Sequence, residues 1–114
     1  MTPGYDARMQ DGPILVLSTA PRAEVGATLG RGLVEAKLAA CVNVIGGLRS
    51  IYAWEGAVHD EAEVQLLVKT RRARFEAVRD WLREHHPYSV PEILALPIEA
   101  GAKSYLDWLD EQTR

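Results

Sequence analysis

The stretch that decides the fold is Ala40-Cys41-Val42-Asn43-Val44-Ile45-Gly46-Gly47-Leu48-Arg49-Ser50-Ile51-Tyr52-Ala53-Trp54, which meets Glu55-Gly56 and returns as Ala57 to Lys69. The outward arm is rich in β-branched and aromatic residues. The return arm alternates Ala62, Val64, Leu66, Val68 with Glu63, Gln65, Lys69, and X-Gly is the chemistry of a two-residue hairpin turn, so the stretch reads as a β-hairpin. Pairing Trp54 with Ala57 sets Tyr52 opposite His59 and Ser50 opposite Glu61. Each arm then runs about fourteen residues, or roughly 45 Å at ~3.3 Å per residue. A domain of about this length has a radius of gyration near ~13 Å, so the ribbon is too long for its own domain. Gly46-Gly47 is therefore expected to break and bend it, and one half to project and pair with another copy of the chain. An exposed apolar hairpin edge invites aggregation unless it is covered, which makes an oligomer the first functional expectation.

Working outward, the chain of 114 residues is long enough for one domain with its own core. Its first stretch, residues 1–11, mixes Pro, Gly, Asp and Gln without apolar period and reads as a disordered tail, leaving residues 12–114 as the single domain. Ile14 to Thr19 is a continuous apolar run expected to form a central strand buried on both faces. Pro21 and Glu24 then start a helix whose apolar stripe, Val25, Leu29, Leu33, Ala36 and Leu38, continues to the ribbon. Gly26, Gly30 and Gly32 inside it point to close packing against a sheet. After the ribbon, Ala73 to His85 carries Phe75, Val78 and Leu82 at helical spacing, with Trp81 beside them. His86 to Pro91 must be extended, Glu92 to Ile98 is a strand that Pro97 confines to a sheet edge, and Lys103 to Gln112 is a C-terminal helix over part of that sheet. The order is that of an α+β, ferredoxin-like βαββαβ sandwich with a long central hairpin and an added helix.

Charge and composition narrow the function. A net charge of −3 and a pI near 5.6 lack the excess of Lys and Arg that a nucleic-acid footprint needs. No apolar run has the length of a membrane span and no signal-peptide pattern opens the chain, and the single Cys41 cannot form an internal disulfide, so the expected compartment is the cytoplasm. Neither a Ser/His/Asp set nor a metalloprotease helix nor a dinucleotide fingerprint is present.

The segments Leu17-Ser18-Thr19-Ala20-Pro21, Lys37 to Asn43, Ser50 to Gly56, Val68-Lys69-Thr70, His86 to Ile93, Ala95 to Ile98 and Tyr105 to Trp108 occur in an order that resembles the CutA divalent-cation tolerance family, over about residues 14 to 110. The resemblance implies a homotrimer of ferredoxin-like subunits, similar in architecture to PII signalling proteins, with links to copper tolerance and copper binding and no established reaction. The chain departs from the family pattern at two places. Gly56-Ala57 stands where the family often has Gly-Lys, and Ser18 stands where bacterial members with a copper site have a cysteine ligand. The paired histidines of that site are present as His85 and His86.

Several groups carry the functional reading. His85 and His86 are the expected Cu(II) ligands implied by the resemblance, against a purely structural role at a helix end, where imidazole can cap carbonyls. Lys69, Tyr88 and Glu92 fall in the resembling motifs and are expected to converge in a cleft between subunits, supplying a cation, a hydroxyl and an acid for an anionic or metal ligand, or else a hydrogen-bond cluster closing the trimer. Cys41 in an apolar strand reads as a small buried hydrophobe or a thiol ligand, and His59-Asp60-Glu61 as a solvated turn or an N/O ligand set. Trp54, Trp81 and Trp108 read as core or interface anchors. The function expected is a non-enzymatic, trimeric, divalent-metal (copper) binding protein of metal tolerance. The competing class is a PII-like small-molecule sensor or scaffold with an intersubunit pocket and no physiological metal.

Overall fold

A computed structural model describes residues 11–114. The expected tail falls almost wholly on residues 1–10, outside the described residues. Asp11 is tied to the domain: its carboxylate accepts from the Ala73 N–H at 2.9 Å and pairs with Arg71 at 2.5 Å.

The elements run β1 (Pro13–Ala20), α1 (Ala23–Glu35), β2 (Cys41–Trp54), β3 (Ala57–Arg71), a 3-10 turn (Arg72–Arg74), α2 (Phe75–His85), β4 (Leu94–Pro97) and α3 (Lys103–Gln112). They form one antiparallel sheet in the order β2-β3-β1-β4. The hairpin has the register expected from its alternation, with Trp54 opposite Ala57, Tyr52 opposite His59 and Ser50 opposite Glu61. Glu55 and Gly56 both take positive φ, 49° and 77°, the geometry of a turn whose twist matches its flanking strands. The glycine break is also present. The pairing jumps between Ile45 and Leu48, leaving Gly46 and Gly47 against Val64 alone, and Gly47 bends at φ 82°, which a side chain rarely tolerates. The molecule measures 46 × 31 × 24 Å with a radius of gyration of 15.2 Å, and the far end of the ribbon projects beyond the body, since β1 stops at the Ala20–Val64 pair.

The core lies between the sheet and the two long helices. Val16, Leu33, Leu66, Val68, Val78 and Leu82 are fully buried there, each contributing about 1.5–3 kcal/mol of hydrophobic stabilisation. Two of the α1 glycines meet the sheet as expected: a Cβ on Gly26 would lie 3.0 Å from Leu66, and one on Gly30 would lie 3.0 Å from Val42. Gly32 instead faces α2, where a Cβ would sit 2.4 Å from the Trp81 ring. Helix α1 stops at Glu35, short of the expected Leu38, because Lys37 turns to φ 61° and the chain is pulled into the sheet: the Thr70 hydroxyl donates to Leu38 O and Ala40 N–H to Lys69 O. Helix α3 crosses the opposite face, with Tyr105 over Lys69, and leaves the open-face residues Leu15 and Leu17 half-buried where burial on both faces was expected. β4 pairs only from Leu94, two residues later than its apolar run suggested, because the chain from His86 to Ile93 wraps the end of β1 before it joins the sheet edge.

Candidate functional site

The projecting ribbon and the loop after α2 enclose a cavity of about 500 Å³ at the end of β1. One wall is the outer ribbon, Ser50, Ile51, Tyr52 and Trp54; the other is Tyr88, Ser89, Val90 and Glu92 of the loop; Thr19 and Glu63 form the floor. Cross-strand pairing explains the floor. Leu48 sits opposite Glu63 and Ser50 opposite Glu61, so Ser50, Tyr52, Glu61 and Glu63 share the sheet face away from α1 and α2.

The tyrosines fasten the two acids. Tyr88 O–H donates to Glu63 Oε2 at 2.6 Å, and Tyr52 O–H donates to Glu61. Burial, and then the Glu63 carboxylate, push the Tyr88 hydroxyl well above the ordinary tyrosine range; for Tyr52 the bond to Glu61 is the main cause of a rise. Both phenols therefore stay neutral donors. Tyr88 and Glu92 line one cavity within the chain. Lys69 does not join them. It lies six residues from Glu63 along β3, roughly 20 Å at ~3.3 Å per residue, with its ammonium 5.8 Å from the Tyr105 ring centroid. The separation follows from the extended strand, which cannot bring positions 63 and 69 together. Sequence reasoning missed Glu63 as the partner of Tyr88, although the alternation of Glu61 and Glu63 against Ala62 and Val64 already set both acids on one face.

The two histidines part company. His86 is buried: its Nε2 lies 2.7 Å from Thr19 O and its Nδ1 accepts the Tyr88 N–H at 3.0 Å. These partners fix the neutral tautomer with the proton on Nε2, and they occupy both nitrogens. His86 is the pin that holds the loop onto β1. His85 is exposed, stacks on Trp81 with ring centroids 4.0 Å apart, and lies 2.8 Å through Nδ1 from Trp81 O, while its Nε2 has no hydrogen-bond partner among the described residues. Ser18, one residue from the carbonyl that His86 holds, is fully buried, and its hydroxyl has no hydrogen-bond partner. Among the described residues no group of three or more His, Cys, Asp and Glu side chains is gathered as a metal cage.

The remaining candidates lie apart. Cys41 is a half-buried free thiol opposite Lys69. Asp60 is engaged by Arg49 through two bonds of 2.7 Å across the ribbon, which hold its carboxyl below the usual range, and His59 stacks on Tyr52, so His59, Asp60 and Glu61 are committed to the ribbon itself. Trp81 is half-buried against α1, whereas Trp54 and Trp108 are largely exposed.

The model of the CutA1 divalent ion tolerance protein family matches residues 14–112. The chain belongs to that family. It is 50% identical over 99 residues to the divalent-cation tolerance protein CutA of Thermus thermophilus, covering 87% of this chain and 96% of that one. It is 44% identical over 101 residues to the chloroplastic protein CutA of Arabidopsis thaliana, where 89% of this chain spans 56% of the longer plant protein. Among solved structures, the Thermus thermophilus divalent cation tolerance protein superposes with a TM-score of 0.86 at 49% identity, over 90% of this chain and 99% of that chain. CutA1 from Oryza sativa does so with 0.88 at 41% identity, over 95% and 98%. The ferredoxin-like α+β architecture expected from the ribbon is the architecture of this family's solved members.

Proposed function

We propose that this CutA-family chain acts as a non-enzymatic homotrimer in divalent-metal tolerance, with copper as its metal. The observation that carries the reading is the family match across residues 14–112, since the family is described by tolerance to divalent ions. Trimer formation is supported by the exposed apolar residues of the projecting ribbon and β4, among them Ile51, Val58, Leu94 and Leu96, and by the long unpaired edge of β2. The free thiol of Cys41 fits a reducing, cytoplasmic compartment, and localisation of the tagged protein checks that part of the reading.

For copper, the free imidazole nitrogen of His85 is the available ligand, and His86 would have to release Thr19 or Tyr88 to join it. Calorimetric titration of Cu(II) into the native protein and His85→Ala tests this. Loss of the binding heat in His85→Ala is the expected result. Equal binding by both proteins would remove copper from this site. His86→Ala should lower stability, because it strands the Thr19 carbonyl and the Tyr88 N–H.

The cavity at the end of β1 favours a second reading, a small-molecule sensor in the manner of PII proteins. Its volume lies within the range of ligand pockets, and it mixes aromatic walls with a few convergent polar groups.

A further inference from the structure

The charge of that cavity says more than its size. Its lining holds two carboxylates, Glu63 and Glu92, and neither Lys, Arg nor His. A third acid, Glu61, stands beside it on the same face, tied to Tyr52. Within the same chain Lys69 is on the far side of the open face, with its ammonium over the Tyr105 ring. The charged neighbours of the ribbon offer no substitute, because Arg49 is spent on Asp60 and pairs with Ala62 away from the acids' face. The phenols of Tyr52 and Tyr88 donate to Glu61 and Glu63 and bring no positive charge to the cavity. The apolar walls the ligand would meet are the indole of Trp54, the rings of Tyr52 and Tyr88, and the aliphatic Val90. Aromatic faces attract organic ammonium groups as well as apolar bodies.

We propose that the cavity between the outer ribbon and the Tyr88–Glu92 loop is a binding site for organic cations, an ammonium group on an apolar or aromatic body, and excludes carboxylate and phosphate ligands. This rests on the sensor reading of the cavity, and it supplies the ligand class that reading leaves open. The ammonium group sits between Glu63 and Glu92, and the apolar body lies against Trp54 and Val90.

Three probes that share a phenylethyl body test it: 2-phenylethylammonium, neutral 2-phenylethanol and anionic 3-phenylpropionate, each titrated calorimetrically and by thermal shift, since a ligand of the native state raises the melting temperature. The ammonium probe should bind at least about tenfold more tightly than the alcohol, as a charge-assisted hydrogen bond is worth more than a neutral one, and the carboxylate should not bind. Glu92→Gln and Glu63→Gln should each weaken the ammonium probe by about tenfold on the same grounds and leave the alcohol unchanged. Lys69→Ala should change neither. Equal binding of all three probes would overturn the cation assignment while leaving a ligand cavity in place. Preferential binding of the carboxylate, abolished by Lys69→Ala, would reverse the assignment. No binding by any probe would overturn the cavity as a site altogether.

Discussion

At the residue scale, the histidine pair shows what a sequence conveys and what it withholds. Adjacent positions at a helix end were legible, and so was the competition between ligation and capping. Which nitrogen meets which carbonyl was not, because Thr19 lies 67 positions from His86 and nothing local announces the contact. Ser18 is a similar case. Its place in an apolar strand was plain, but only the packed structure reveals a buried hydroxyl with no hydrogen-bond partner among the described residues. Such a group costs about 1–3 kcal/mol relative to a satisfied one. Ser18→Ala should therefore stabilise the protein by roughly 1 kcal/mol, read as a higher urea midpoint at unchanged slope. A lower midpoint would show that the hydroxyl has a partner in solution.

At the element scale, the ribbon was read well because hairpin register depends on local facts: a two-residue turn, alternation, and a glycine pair. The loop from His86 to Ile93 was read only as extended, since its course depends on two long-range tethers, His86 to β1 and Tyr88 to β3. This is why β4 starts later than expected. The Tyr88–Glu63 tether makes a pH prediction. The folded state holds the Tyr88 proton above the ordinary tyrosine value of 10.0, so the contribution is complete below that value and is lost as pH rises through it, when the unfolded chain ionises first. Unfolding midpoints should fall from about pH 9 to about pH 11, less steeply in Tyr88→Phe than in the native protein. At neutral pH the same substitution should cost about 1 kcal/mol, the worth of a partly exposed hydrogen bond. Parallel profiles for the two proteins would show that the tether does not persist in solution.

For the molecule as a whole, the mismatch between ribbon and body was already present in residue counting, and the 46 Å axis realises it. A monomer leaves Ile51 and Val58 at 67% and 78% exposure, on a hairpin with an open edge. The assembly expected from this should sediment as a trimer at low micromolar concentration. Ile51→Asp should dissociate it, because a charge buried without a partner at an interface is costly. An unchanged trimer would place Ile51 in solvent. The bulge at Gly46-Gly47 lets the outer arm carry one residue more than the strand it pairs with. Before it, Val42 and Val44 point to the helices; beyond it, Leu48, Ser50 and Tyr52 point to the opposite side, so one surplus residue inverts odd and even along the outer arm. Removing Gly47 alone would leave Gly46 opposite Val64 in an unbroken ladder, with Leu48, Ser50 and Tyr52 still opposite Glu63, Glu61 and His59 and still on the side of the cavity. The faces of the outer arm are thus set by its partner strand, and the surplus glycine sets only the bend and twist with which that arm leaves the body.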